Sequence, residues 1–600
     1  MRTAVGMKRM TLTTTALALA AGCAGCAGPL GTREEDLGER VSLSRLRDVQ
    51  PLGIEQFRSA SVSVPPMLAD GAAGRAGGPG GGGGGPISSD AMLRPKSRFE
   101  GMEVVDLSLD QVRMETLRRN LNLQVALVDP AIAGATLEAE RAKFNAVFRP
   151  RLSYSDNDNA TFDATQTSAS KNWSGGAAVD IPLRTGGRAS VNLTGGKFDQ
   201  ATTLGNPFSQ FYTTDLTFSL SQPLLRNAGE DVTTASIQIA SYNEQIAQAN
   251  TKLSVIAQLA AADRAYWRLY AVRRALDVAQ QQYELARTQL EVAERRVRAG
   301  DSAEIEVTRA QSGLASRLEA IIVAENAVLQ AQRELKKISN MADLDVESTQ
   351  TIKPMTPPEL VAYDLDEGGL IALALVSRME LLEAELQILS DATNERFARN
   401  QILPILNLDA SYSYDAIGTN FGRATQQLRD RQFQSFFVGG SGEIPLGNEA
   451  AENRLNRAVL TRVQRIGNKQ AREQTVKQEV LDAVDRVRAG WQRILAARQA
   501  AILAGRTLMG EQRQFEVGNR TSTDVLDAAA RLADAQAAEI RAFTDYEISQ
   551  VDLAVATGTV LGQGNVSWSP RGPEILDADA KARKIADDNA HPWVKPDYKP

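Results

Sequence analysis

Phe515-Glu516-Val517-Gly518 leads into Val525, Ala528 and Leu532, and the earlier stretch Val297-Arg298-Ala299-Gly300 leads into Val307, Ala310 and Leu314 in the same register. Gly300 and Gly518 stand 218 positions apart, so the chain holds two copies of one pattern. Before Gly300 the positions Leu269, Val272, Leu276, Ala279, Tyr283, Ala286, Leu290, Ala293 and Val297 step alternately by three and four. Such a frame makes a left-handed coiled seam. After Gly300 the seam resumes as Val307, Ala310, Leu314, Arg317, Ile321, Ala324, Val328, Ala331 and Leu335. Small residues alternating with large ones let two antiparallel backbones approach closely while the large side chains fill the space opposite. Each glycine falls where a helix must stop and reverse, and it accepts the positive φ of a C-terminal cap at little cost. Ser302 and Ser522 are expected to cap the returning helices. The outgoing helices, residues 228–299 and 448–517, are each about 70 residues, on the order of 105 Å long.

Each hairpin is preceded by alternating residues. Pro150-Arg151-Leu152-Ser153-Tyr154-Ser155 and Pro404-Ile405-Leu406-Asn407-Leu408-Asp409 follow shorter helical stretches, and alternation of this kind predicts strands. Second strands end at Gln222-Pro223-Leu224-Leu225 and at Glu443-Ile444-Pro445-Leu446. The first copy carries an additional pair, residues 176–183 and 188–193, joined through Thr185-Gly186-Gly187 as a hairpin. This pair either joins the same sheet or stands outside it; Asp180 suits water better than lipid, so a separate outward-facing hairpin is expected. The domain plan is residues 1–22 as a leader, 23–104 as a Gly- and Pro-rich tether, 105–340 as the first repeat, 341–368 as a connector, 369–560 as the second repeat and 561–600 as a polar tail. Strands of the first repeat fall within about 147–223.

Composition narrows the function. The net charge is −6, and Lys and Arg are interleaved with Asp and Glu rather than clustered, so nucleic acid is not an expected partner. A single histidine, His591, leaves no material for histidine relays or metal clusters, so neither an enzyme nor a cofactor is expected. Both cysteines, Cys23 and Cys26, close an N-terminal segment in which Arg2, Lys8 and Arg9 precede the apolar run Leu12 to Ala21, the pattern of an export signal. Leu19-Ala20-Ala21-Gly22-Cys23 resembles a bacterial lipobox, which makes Cys23 the expected lipidation site and Cys26 the alternative; an ordinary cleaved signal is the plainer reading. Ala24 stands where a retention signal would place Asp, which by the lipoprotein rule points to the outer membrane. Beyond that leader nothing reaches the length of a membrane helix, so any spanning falls to strands in a closed barrel.

Helix, strand pair, long helix, glycine turn and returning helix, all occurring twice, resemble the TolC family of bacterial outer-membrane efflux proteins over about residues 105–560. The most specific stretch is Val517-Gly518-Asn519-Arg520-Thr521-Ser522-Thr523-Asp524-Val525-Leu526-Asp527-Ala528, similar to the family's second hairpin tip; Gln222-Pro223-Leu224-Leu225-Arg226 is also common in the family. The resemblance implies a mainly α fold with a β-barrel portion. It implies a homotrimer whose helical barrel continues into a transmembrane β-barrel. It further implies an exit duct of a tripartite efflux or type I secretion system, with the helices in the periplasm of a Gram-negative-type bacterium and the duct lipid-anchored in the outer membrane. A periplasmic adaptor protein docking on the tips around Gly300 and Gly518, and an inner-membrane pump, are the implied partners. Asp524 and Asp527 match acids that line the closed entrance, although a capping acid beside a solvated one is the plainer reading. Arg520 matches an arginine that ties the tip to a neighbouring hairpin, with Glu306 at the position of its acidic partner. Here Phe515 replaces a tyrosine of that latch and Ile305 a threonine. The rival function is a lipid-anchored periplasmic coiled-coil scaffold without a pore, which gives no reason for the strands.

Overall fold

The computed structural model describes Arg45, residues 97–158, 167–202, 210–564 and Val566. Cys23, Cys26 and most of the expected tether and tail lie outside the described residues. Chain order is β1 (Val104–Leu107), α1 (Leu109–Arg119), α2 (Leu121–Ala126), α3 (Asp129–Arg141), β2 (Val147–Asp158), β3 (Thr167–Pro182), β4 (Arg188–Thr202) and β5 (Gln210–Pro223). The first hairpin follows, with a short α4 (Glu230–Thr233), α5 (Ala235–Ala299) and α6 (Ile305–Ser339). The second half runs β6 (Thr351–Pro354), α7 (Glu367–Ser377), α8 (Met379–Gln401), β7 (Ile405–Gly418), α9 (Phe421–Arg429), β8 (Gln434–Glu443), α10 (Glu449–Glu516), α11 (Ser522–Thr557) and α12 (Val560–Gln563).

The coiled seam forms as its spacing demands. Tyr283, Ala286 and Leu314 meet near the first tip, and Leu269, Leu276, Val328 and Leu335 meet farther along the same hairpin. In the second hairpin Val487 and Ile494 lie in one core with Phe543, Tyr546 and Leu553, while Leu508 and Phe515 close against Val525, Ala528 and Ala529 at the tip. At 65 and 68 residues, α5 and α10 are each about 100 Å long. The shorter helices continue the returning ones end to end. Asn120 Nδ2 donates to Ile338 O (2.8 Å) and Asn340 Nδ2 to Arg119 O (3.0 Å), joining α1 and α2 to the end of α6. Buried Arg378 does the same for α8 and α11, donating to Ala556 O (3.2 Å) while it pairs with Glu380 and Glu479. No described helix is long and apolar enough to cross a membrane.

Just before α1, Val104–Leu107 forms β1, and the connector supplies β6 as its parallel partner, Val104 opposite Thr351. Tyr266, fully buried on α5, locks this element: its hydroxyl donates to Leu107 O (3.2 Å) and accepts from Thr356 N–H (2.8 Å).

The extra strand pair departs from expectation. β3 and β4 do not stand apart; they occupy the interior of one antiparallel six-stranded sheet in the order β2-β3-β4-β5-β7-β8. A row across that sheet reads Phe148, Val179, Val191, Phe218, Tyr412 and Phe436. The next row on the opposite face reads Arg149, Ala178, Asn192, Thr217, Ser413 and Ser435. One face is therefore apolar and one polar over all six strands, because strand side chains alternate and the ladder holds their parity. Asp180 lies on the polar face, in an ion pair with Arg149 of β2, which removes the reason for expelling its strand. The β3–β4 turn also lies at the helical end of the sheet. Gly229 N–H donates to Thr185 O (3.1 Å), and Gln222 Nε2 donates to the same oxygen (3.1 Å), so the turn is tied to the start of the first long hairpin.

Candidate functional site

The two hairpin tips lie side by side and form the candidate site. Gly300 (φ +83°) and Gly518 (φ +82°) both take the left-handed conformation. At each, paired backbone bonds close the helix: Gly300 N–H to Val297 O (3.0 Å) and Asp301 N–H to Arg296 O (2.9 Å), then Gly518 N–H to Phe515 O (3.0 Å) and Asn519 N–H to Gln514 O (2.9 Å). This double closure satisfies carbonyls that a helix end leaves open, and the left-handed residue it needs is one that glycine supplies without strain. Val517, 72% exposed, and Ile305, 53% exposed, present apolar side chains to solvent at the tips.

Neither serine expected to cap a returning helix does so. Thr521 caps α11, its hydroxyl accepting from Asp524 N–H (3.4 Å), and α6 starts after Glu304 with no side-chain cap. Ser522 is instead buried at 1% exposure and donates its hydroxyl to Glu306 Oε2 (2.5 Å), so it serves the neighbouring hairpin rather than its own helix. That bond, with Arg309 beside it (2.6 Å), holds the Glu306 carboxyl below its ordinary range.

The expected pairing of Arg520 with Glu306 is absent within the chain. Arg520 Nε lies 3.1 Å from Glu511 Oε2 on its own hairpin, while the Glu306 carboxylate is occupied by Ser522 and Arg309. A second tie between hairpins is made by a residue that sequence reasoning missed. Arg296, on the last turn of α5, sits 4.1 Å over the Phe515 ring and donates to Phe515 O (2.9 Å) and Glu516 O (3.2 Å). A planar guanidinium can stack and donate at once. Nothing in the local sequence distinguishes Arg296 from Arg295 or Arg298, since basic residues are favoured throughout the last turn of a helix. Phe515, buried at 7% exposure, thus fills the apolar tip core and also supplies the ring for this contact.

Asp524 and Asp527 are one turn apart on α11. Asp524 completes a capping box, accepting from Thr521 N–H (2.9 Å) and Thr521 Oγ1 (2.9 Å) through Oδ2; the backbone bond is the main reason its carboxyl sits below the usual range. Asp527 is exposed. Asp524 therefore takes the helix-start role that was the plainer reading of the sequence. Among the described residues no group of three or more His, Cys, Asp or Glu side chains could hold a metal ion.

Fold and sequence converge at this point. Residues 190–341 and 370–559 match the family described as outer membrane efflux protein. The chain belongs to this family. The match opens inside β4 and leaves β2 and β3 outside it. Outer membrane protein TolC of Vibrio cholerae is 28% identical over 281 residues, 46% of this chain and 61% of that protein. TolC of Escherichia coli is 27% identical over 356 residues, 55% of this chain and 70% of that protein. The chain thus spans under two thirds of the Vibrio relative. Among solved structures, the outer membrane protein VceC of Vibrio cholerae superposes with a TM-score of 0.55 at 16% identity, covering 75% of this chain and 96% of VceC. The fold is that of the TolC-like outer-membrane channels, mostly helical with two repeated halves.

Proposed function

We propose that this chain is the exit duct of a tripartite efflux or type I secretion assembly, a homotrimer that passes cargo passively from periplasm to exterior. The observation that carries the reading is one continuous molecule in which a sheet with an apolar and a polar face joins helical hairpins about 100 Å long. The apolar face suits lipid and the polar face an aqueous lumen, whereas a periplasmic scaffold has no use for an exposed apolar sheet. The hairpins then form the periplasmic tube. Their tips, with exposed Val517 and Ile305 beside the Gly300 and Gly518 turns, offer a protruding surface of small and apolar residues to a periplasmic adaptor, which links the duct to an inner-membrane pump. The tip contacts hold the entrance closed, with Asp524 and Asp527 repeated around the axis as two acidic rings, and Cys23 carries the lipid anchor. Catalysis is not part of this role. Purification from outer membranes in detergent, followed by electrophoresis without heating and planar-bilayer recording, tests the reading. A heat-sensitive trimer band with ion conductance is expected; a water-soluble, non-conducting form would overturn the duct in favour of the scaffold.

A further inference from the structure

We infer that β3 and β4 are wall strands, that each chain contributes six strands, and that three copies close an 18-stranded barrel in which β8 of one copy pairs with β2 of the next. The inference rests on the duct reading for the membrane and for the three copies, and on the sheet for everything else. β2 and β8 are the outer strands of the order β2-β3-β4-β5-β7-β8, each paired on one side among the described residues. In hydrocarbon an open edge leaves backbone N–H and C=O groups without partners, with no water there to take their place. Six strands are too few to close on themselves, because membrane barrels start at about eight. The missing partner is therefore a second copy of this chain.

The direction of the strands permits that joint. Six alternating strands leave β2 and β8 antiparallel to each other, so the contact between copies continues the pattern seen at every contact within the sheet. The apolar face is also unbroken through the inserted pair. On β3 it runs from Trp173 to Ile181, about 26 Å along the strand, which is the order of the lipid-facing band of outer-membrane walls. Trp173 lies 4.7 Å from Tyr154 of β2 between ring centres, placing two aromatic rings together at the end of that band away from the helices. A hairpin in water would have no use for this face. On the lumen side β3 and β4 present short side chains, among them Ser174, Ala178, Ser190 and Asn192, which widen the bore without filling it. At a strand tilt of about 40°, 18 strands give a backbone diameter of about 36 Å against about 24 Å for 12. The outer segment of this duct is accordingly built for bulkier cargo than a four-strand contribution per chain would pass.

Electron cryomicroscopy of the purified full-length chain in lipid nanodiscs counts the strands directly. Eighteen strands with β8 beside the β2 of another copy are expected. A closed wall of 12, with β3 and β4 outside it, would overturn the inference and leave the duct intact; no closed wall at all would overturn both. An independent test uses Leu193→Cys and Asn192→Cys, each in a Cys26→Ser background. Fluorescence from a bimane label on Leu193→Cys should be quenched at least two-fold by brominated lipid, and Asn192→Cys should react with a water-soluble thiosulfonate. Labelling of both positions from water, with no quenching by lipid, would place the pair outside the wall.

Discussion

Arg296 and Phe515 join the two hairpin tips. Where the family resemblance calls for a tyrosine, the phenylalanine ring receives a guanidinium at 4.1 Å, and the same guanidinium reaches two backbone carbonyls of the facing hairpin. Replacing Arg296 with Ala removes a contact of about 1–3 kcal/mol per chain, and in the proposed trimer three such contacts act on one entrance. Open probability in single-channel recordings should rise, with Arg296→Lys intermediate because a lysine keeps the charge but not the planar fork. An unchanged open probability in Arg296→Ala would show that the contact is only local packing. The helix-start role of Asp524 and the proposed acidic ring separate by measurement. Asp524→Ala should weaken the start of α11 by about 1 kcal/mol because its capping box is lost. Asp527→Ala should leave stability alone and, by thinning the acidic ring, reduce cation selectivity and block by multivalent cations. If reversal potentials of the double alanine variant match those of the unaltered channel, the acids are helix-start residues without a role in permeation.

At the scale of elements, the junction between sheet and helices depends on the β3–β4 turn. Gly186 has φ +92°, and a Cβ there would lie 2.1 Å from Asn227 O, so no side chain fits without moving the segment that begins the first long hairpin. Gly186→Val should destabilise the assembled protein by about 1–3 kcal/mol, read as a lower dissociation temperature of the trimer. A second sensitive contact joins α11 to the connector: Glu359 N–H donates to Glu547 Oε1 at 2.8 Å, and burial pushes the Glu547 carboxyl up to about 8. The sign follows from proton binding. Between about pH 4.5, the ordinary value, and about 8 the folded chain holds a proton on Glu547 that the unfolded chain has released, so stability falls as pH rises through that window and levels above it. Glu547→Gln mimics the protonated form and should flatten that slope while keeping stability at neutral pH. Thermal melts of the two proteins from pH 5 to 8.5 that run parallel would exclude this carboxyl as the cause.

For the whole molecule, anchor and channel are separable in the proposed assembly, because 80 residues, 24–103, lie between Cys23 and the first described strand. Mass spectrometry of the mature N-terminus should find an acylated Cys23. Cys23→Ser should lower the amount reaching the outer membrane while the fraction that arrives still conducts. Loss of conductance per trimer in that variant would mean that the lipid is part of the channel fold.

Elements with a local period were legible in the sequence. Steps of three and four placed the hairpins, the glycines placed their tips, and alternation placed the strands, because each signal lies within a few residues of the structure it specifies. The alternation of Trp173, Gly175, Ala177, Val179 and Ile181 already marked one apolar face of β3, and Asp180 falls on the opposite face. Tertiary structure alone decided contacts between distant segments. It set β3 and β4 inside the sheet, gave Glu306 to Ser522 rather than Arg520, and chose Arg296 to stack on Phe515. The reason is physical: a local pattern fixes which face of an element is apolar, but the partner of each polar group depends on which element lies opposite, and here those elements are about 200 residues away in the chain.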